Sequence, residues 1–253
     1  MKFPVEKVVL GPESVAQSVF VQAAQSPARI FRETLAEDAS LGLAIVGTRQ
    51  PTPKSRQFLR ESIAALRGSH LTIISGFALG IDSEAHAAAL DSGLRTVAVV
   101  AGGLDLDYPR ANSELRTQIL EAVGLIISES PLRTYPYHSD FLLRNRLIAR
   151  WSRATLVVEA AARSGALSTA SWALKYGRDV YAIPTFPGDP CFAGNQRLLD
   201  EGAYPFWGPH SLGSSWANFS GFRLPARTQE NSLFLPGFSI AKPGPRLGKN
   251  GLA

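Results

Sequence analysis

Six short apolar runs alternate with helical patterns between residues 41 and 184, and this alternation limits the folds open to the chain. The runs lie at 41–46, 71–76, 96–103, 125–129, 154–160 and 179–184. None alternates strictly between apolar and polar residues, so each is expected to be a buried parallel strand. Helical patterns occupy 54–66, 82–92, 112–122, 139–152 and 165–177. The sequence therefore predicts an α/β fold, an open parallel sheet with helices on both faces.

The segments on either side of this alternating region differ from it. Residues 1–40 carry helical patterns at about 13–24 and 29–37, which predict a small helical N-terminal appendage. From about residue 218 the chain is rich in glycine, proline and basic residues without a regular period, which indicates a flexible basic tail. We therefore expect an appendage over 1–40, the α/β domain over 41–217 and a tail over 218–253.

Composition excludes several classes of protein. There is no run of 18 apolar residues and no apolar signal segment near Met1, so we expect a cytoplasmic protein without a membrane partner. The single cysteine, Cys191, excludes an internal disulfide, and the four histidines show no metal-ligand spacing. No Gly-x-Gly-x-x-Gly follows the first strand, which leaves a dinucleotide-dependent oxidoreductase as a weak alternative. We expect no metal and no cofactor.

The first predicted strand ends abruptly at Gly47, Thr48 and Arg49, directly before a helical pattern. Backbone N–H groups at a helix start, beside a glycine that lets a ligand approach, form a natural seat for phosphate. Arg49 would add a positive charge to that seat. Taken alone, the same residues also fit an ordinary tight turn with a solvated arginine.

Small and polar residues also follow other predicted strands. Gly76 comes directly after the second strand, and Ser164 and Gly165 precede the helical pattern after the fifth. Because the carboxyl ends of parallel strands meet at one edge of a sheet, these residues are expected to converge on a ligand crevice there.

Positive charge is concentrated in one part of the chain. The net charge is +5, but residues 222–253 hold five basic residues and one acidic residue, which leaves 21 against 20 elsewhere. Residues 133–178 carry eight basic and two acidic residues. In the helix predicted there, Arg146, Arg150 and Arg153 share one face, while Leu143, Leu147 and Trp151 share another. A local positive surface is what phosphate binding needs, although a basic helix face can also be merely solvated.

The order of the motifs resembles the DNA-processing protein A family, also called DprA or Smf. The motifs are Gly47-Thr-Arg49, Ser75-Gly-Phe-Ala-Leu-Gly-Ile-Asp82, Tyr108-Pro-Arg110, Arg144-Asn145-Arg146, Ser164-Gly165-Ala-Leu and Gly194-Asn195. The match covers residues 41 to about 206. The resemblance implies an extended Rossmann-like fold and a protein that is not an enzyme. It further implies a homodimer that binds and protects incoming single-stranded DNA and loads the RecA recombinase in natural transformation.

The resemblance also implies the site residues. Arg49 matches an arginine that grips a DNA phosphate, and Arg110 matches the basic residue that follows Tyr-Pro. The other positions carried over are Gly47, Thr48, Gly76, Arg144, Asn145, Arg146, Ser164 and Gly165. The motif leaves open whether Arg144 and Arg146 touch DNA or hold the fold together. Leu79 stands where the family usually has an arginine, which indicates a lost contact and weaker DNA affinity.

One enzymatic function competes with this interpretation. Lysine-decarboxylase-like (LOG) phosphoribohydrolases have a related sheet, and Glu129 or Glu159 would stabilise the ribosyl cation in such an enzyme. These enzymes use a Pro-Gly-Gly-x-Gly-Thr loop, whereas this chain has Ser164-Gly-Ala-Leu-Ser-Thr169, which lacks the double glycine. The sequence therefore favours the DNA-binding function.

Overall fold

A single mixed sheet of nine strands organises the protein. The computed structural model describes residues 3–11, 14, 16–35, 42–185 and 188–216. The strands are β1 Val5–Val9, β2 Ser18–Gln22, β3 Gly42–Val46, β4 Thr72–Ser75, β5 Arg95–Val99, β6 Leu125–Ser128, β7 Ala154–Val157, β8 Asp179–Ala182 and β9 Tyr204–Pro205. Their order is β1-β2-β6-β5-β4-β3-β7-β8-β9, and all pairs from β6 to β9 are parallel.

Helices cover both faces of this sheet. They are α1 Pro27–Thr34, α2 Pro53–Ala64, α3 Ile81–Asp91, α4 Ser113–Glu121, α5 His138–Arg150, α6 Ala166–Lys175, α7 Ala193–Asp200 and α8 Gly213–Trp216. Side chains of β3 alternate between two cores: Ala44 and Val46 pack with α1, α5 and α6, while Leu43 and Ile45 pack with α2 and α3. A third cluster joins α4 to β5 and β6 on the α2 side. The predicted α/β architecture is confirmed.

The six predicted strands are all present because each can be buried on both faces. Every residue of β3, β4, β6 and β7 is buried. Strands between two helical layers need apolar side chains at successive positions, which is why the sequence shows continuous runs there. The carboxyl ends of β3 to β7 lie at one edge of the sheet, which we call the rim.

The N-terminal segment differs from the sequence prediction. The helix expected at 13–24 is wrong, because Ser18–Gln22 forms β2, which pairs antiparallel with β1 and β6. Val19 and Val21 are fully buried against the edge of the parallel sheet, and this strand pairing overrides the local helical pattern. The second helix was predicted correctly and corresponds to α1. The segment therefore extends the sheet as well as covering it.

Two further expectations meet the limits of the described residues. The basic tail predicted at 218–253 lies outside them, and the division of the chain into three parts stays a prediction. None of the helices in the described ranges has the length and hydrophobicity that a bilayer-spanning helix needs.

Candidate nucleic-acid interface

The turn after β3 is held rigidly at the rim. The N–H of Thr48 donates to the carbonyl oxygen of Glu159 at 2.7 Å, and the carbonyl of Thr48 accepts from the N–H of Ile81 at 3.1 Å. A Cβ added to Gly47 would lie 2.6 Å from the side chain of Ile81, so only glycine lets the turn pass this close to α3. These contacts fix the backbone at Arg49, while its side chain is exposed.

Arg49 is the cationic end of an aromatic cluster. Its Cζ atom lies 5.7 Å from the ring centroid of Phe141, and the ring of Tyr108 lies 6.1 Å from Phe141 on another side. The three side chains line a cavity of about 90 Å³ together with Phe77 and Leu79. Arg49 takes part in none of the ion pairs found among the described residues. The rim thus presents a free positive charge beside exposed aromatic surface.

Arg144 lies beneath this surface and is buried, with only 6% of its area exposed. Its guanidinium donates to the carbonyl oxygens of Gly76 and Val99, at the ends of β4 and β5. A Cβ on Gly76 would lie 2.7 Å from both Arg144 and the Oδ2 atom of Asp82. The glycine therefore makes room for two buried side chains whose opposite charges attract each other.

Burial perturbs both members of that pair. It lowers the pKa of Arg144 to about 10, although the nearby Asp82 carboxylate opposes this. It also raises the pKa of Asp82, and Arg144 is the strongest influence in the other direction. Each group offsets part of the desolvation of the other, so removing one would leave an uncompensated buried charge.

The two residues after Arg144 anchor α5 to other parts of the rim. The Asn145 Nδ2 atom donates to the carbonyl of Gly165 at 3.3 Å. Arg146 forms a two-pronged ion pair with Glu129, with Nη2 and Oε1 2.6 Å apart. Three consecutive side chains therefore tie α5 to the ends of β4 and β5, to the start of α6 and to the segment after β6.

The other predicted site residues lie on the surface of the rim. Arg110 is exposed in a short 3₁₀ turn, two residues after Tyr108. Ser164 Oγ accepts the N–H of Ala166 at 3.3 Å, and Gly165 is exposed with open space where a side chain would be. Two of the predicted arginines, Arg49 and Arg110, are thus accessible to a ligand, whereas Arg144 and Arg146 are engaged by the protein.

Sequence reasoning missed Phe141 and the role of Asn195. Phe141 lies one helical turn before Asn145, so its place on the rim follows from the orientation of α5. Asn195 is fully buried; its Oδ1 accepts the N–H of Ala160 at 2.8 Å, and its Nδ2 donates to carbonyls at the ends of β7 and β8. Asn195 is followed in α7 by the polar residues Gln196 and Arg197, so its burial left no signal in the local pattern.

The two carboxylates considered for a hydrolase both hold the fold together. Glu159 is buried, and its Oε2 atom accepts hydrogen bonds from the N–H and the hydroxyl of Thr52, each at 2.9 Å. These bonds fix the start of α2. Glu129 is occupied by Arg146. No group of three or more potential metal ligands occurs in the part of the chain that the structure describes.

Comparisons with known proteins identify the family of the chain. The family model "DNA recombination-mediator protein A" matches residues 16–216. Streptococcus pneumoniae DNA processing protein A has a similar structure, with a TM-score of 0.72, 31% identity, and coverage of 87% of this chain and 75% of that one. The structure of Helicobacter pylori DNA processing protein A, which was solved to show its single-stranded DNA binding mode, is also similar. Its TM-score is 0.71 at 26% identity, and the match covers 85% of this chain and 96% of that one.

Relatives known by sequence carry the same family names. Protein Smf of Synechocystis is 46% identical over 162 residues, which are 64% of this chain and 40% of that protein. DNA processing protein DprA of Bacillus subtilis is 36% identical over 170 residues, 67% of this chain and 57% of that protein. The chain thus spans about half the length of these relatives. It belongs to the DNA recombination-mediator protein A family, the DprA or Smf family that its motifs resemble.

Proposed function

We propose that the protein binds single-stranded DNA at the rim. One observation carries the proposal: the exposed guanidinium of Arg49 forms no ion pair with a carboxylate of the described residues and lies 5.7 Å from the ring of Phe141, which in turn contacts Tyr108. Arg49 and Arg110 would bind phosphates, and the exposed helix start at Gly165 would add a neutral donor. Phe141 and Tyr108 would stack on bases.

This combination favours single strands over duplex DNA. Stacking requires an unpaired base with a free face, whereas the bases of a duplex are covered by their neighbours. The cavity of about 90 Å³ is too small to enclose a base, so the ring surfaces around it serve as a platform. Arg144, Asn145 and Arg146 would support this platform from below without touching the strand.

We further propose that the protein passes the bound strand to RecA and acts as a homodimer in the cytoplasm. The support is family membership together with the single-stranded DNA binding reported for the Helicobacter pylori relative. Exposed Tyr204 and Trp207, beside the edge strand β9, offer apolar surface for a second copy. Stimulation of RecA filament formation on single strands would test the transfer, and sedimentation would test the dimer.

Fluorescence anisotropy with labelled oligo-dT tests the binding itself. Arg49→Ala is expected to weaken binding at least about tenfold, because a charge-assisted phosphate contact is lost. Arg67→Ala, which removes an exposed arginine beyond the far end of α2, is the matched control and should bind like the wild type. Unchanged binding by Arg49→Ala, or equal affinity for duplex of the same length, would contradict the proposal. Release of free base from adenosine monophosphate would instead support the hydrolase.

A further inference from the structure

The outer surface of α5 and α6 carries a second cluster of aromatic and basic side chains. The rings of Trp172 and Tyr176 are stacked, with centroids 5.8 Å apart and an interplanar angle of 22°. The Lys175 Nζ atom lies 4.4 Å from the Trp172 centroid, and the Arg150 Cζ atom lies 5.9 Å from that of Tyr176. Both rings pack against the core and stay partly exposed. We call these four residues the α5–α6 surface.

The charges around this surface favour a polyanion. The two carboxylates within residues 133–178 serve helix starts, since Asp140 accepts the N–H of Tyr137 and Glu159 accepts from Thr52. Outside this range, Glu129 is neutralised by Arg146, one helical turn before Arg150, and Asp179 stands at the start of β8, four residues after Lys175. Arg150 and Lys175 take part in none of the ion pairs found among the described residues, so their positive charges are available to a ligand. Proteins that bind single-stranded nucleic acid use cations beside partly exposed aromatic rings.

Helix α5 leads from the rim to this surface. Phe141 lies in the first turn of α5, and Arg150 ends the same helix nine residues later. At about 1.5 Å per residue this separates them by about 13.5 Å along the helix axis. Nine residues make about two and a half turns, so the two side chains lie on opposite sides of α5 and a strand would pass partly around the helix. Stacked nucleotides follow at about 3.4 Å, so at least about four of them are needed.

We propose that the α5–α6 surface is a second contact for the same DNA strand, engaged by nucleotides that leave the rim. A base would lie against the Trp172–Tyr176 pair while Arg150 and Lys175 bind the flanking phosphates. This inference rests on the proposed function of the rim. It predicts that the rim alone holds a short oligonucleotide, whereas a longer one gains affinity from α5 and α6.

The test measures oligonucleotides of two lengths against the wild type and three variants of the protein. Anisotropy is measured with labelled oligo-dT of about four and about sixteen nucleotides, the span of site sizes seen for single-strand modules. Trp172→Ala and the double variant Arg150→Gln with Lys175→Gln are expected to weaken binding of the long oligomer at least about fivefold. Both should bind the short oligomer like the wild type. Arg67→Gln removes a charge beside the α2 layer on the opposite face and should change neither affinity.

The outcomes separate this inference from the proposal on which it rests. Loss of all binding in Arg49→Ala, with the long oligomer unaffected by Trp172→Ala, would overturn the second contact and leave the rim intact. Equal weakening of short and long oligomers by Trp172→Ala would overturn it as well. So would a Trp172→Ala variant whose self-association changes while its DNA affinity stays the same. Absence of binding by the wild type would overturn the proposed function itself. Thermal melts confirm that each variant is folded.

Discussion

Arg49 and Arg144 have the same side chain at one rim but different surroundings. Arg49 is exposed beside an aromatic ring, whereas Arg144 is buried beneath it with two backbone carbonyls and Asp82 around its guanidinium. A charge in water is available to a ligand, and a buried charge with its hydrogen bonds satisfied is part of the fold. The two arginines are therefore separable by experiment.

Replacing Arg144 should destabilise the protein. Arg144→Ala would leave the carbonyls of Gly76 and Val99 without this donor and Asp82 without its nearest cation. We expect the free energy of unfolding to fall by about 3–5 kcal/mol, as for other broken buried pairs. Arg49→Ala should change it by less than about 0.5 kcal/mol. Urea denaturation compares them; a fully stable Arg144→Ala variant that has lost DNA binding would make Arg144 a DNA contact instead.

His86 should make stability depend on pH. Thr96 Oγ1 donates to the carbonyl of Ile73, so it accepts from Nδ1–H of His86, and the buried Nε2 atom has no hydrogen-bond partner among the residues that the structure describes. Burial, with a smaller effect of Arg144, lowers the pKa of His86 from 6.5 to about 3. Between those values the unfolded chain binds a proton that the native protein does not. Stability should therefore fall as the pH drops from about 6.5 towards 3, by up to about 1.4 kcal/mol per pH unit.

The measurement compares denaturation midpoints across that pH window. His86→Gln keeps an N–H donor for Thr96 and should lose this component of the pH dependence. His70→Gln, at an exposed position, is the control and should keep it. A wild type and a His86→Gln variant with identical pH profiles would contradict the assignment.

At the scale of elements, the position of helix α7 on the sheet depends on the side-chain amide of Asn195. Asn195 bonds to backbone groups at the ends of two neighbouring strands, β7 and β8, and is fully buried. Such a residue positions the helix against the sheet because several backbone groups would otherwise lack a partner.

Asn195→Ala should therefore cost about 2–4 kcal/mol of unfolding free energy, more than a surface change in the same helix. Gln196→Ala, which loses only an exposed contact with Asp200, is the matched control and should cost less than about 0.5 kcal/mol. Chemical denaturation measures both. Equal stability of the two variants would show that the network is not needed to hold α7.

The six central strands and the helices between them were predictable from the sequence, but the N-terminal strands and the orientation of α5 about its axis were not. The parallel strands were predictable because each is a continuous apolar run. Helix α5 was predicted at 139–152 and lies at His138–Arg150. Within α5, however, Leu143 is 52% exposed while Arg144 is buried. Arg144 is buried because its guanidinium binds carbonyl oxygens at the ends of β4 and β5. Those carbonyls belong to segments far away in sequence. For the same reason Phe141 could not be placed at the rim from its periodicity.

At the scale of the whole molecule, DNA affinity should depend on local charge. Outside residues 222–253 the net charge is only +1, so a general attraction to polyanions is small. Single-strand binding loses affinity with a log–log salt slope of about −0.7 per phosphate neutralised. With Arg49 and Arg110 at the rim we expect a slope of about −1.4 or steeper.

Arg49→Ala should make that slope shallower by about 0.7, because one phosphate contact is lost. Anisotropy titrations at several salt concentrations measure it, and Arg67→Ala should keep the wild-type slope. A steep slope that does not change in Arg49→Ala would place the charged contacts elsewhere on the protein.

The strand order has a consequence for how the protein is made. Strands β3 to β6 lie side by side in the order in which they are synthesised, but α5 leads back across the sheet to β7, on the far side of β3. A nascent chain that has only reached β6 can pair its strands. It still lacks Phe141, the hydrogen bonds of Arg144 to the ends of β4 and β5, and the start of α6. If the rim binds DNA as proposed, translation of this one crossover helix would add Phe141 and the supporting Arg144 to a rim that already holds Arg49, Tyr108 and Arg110.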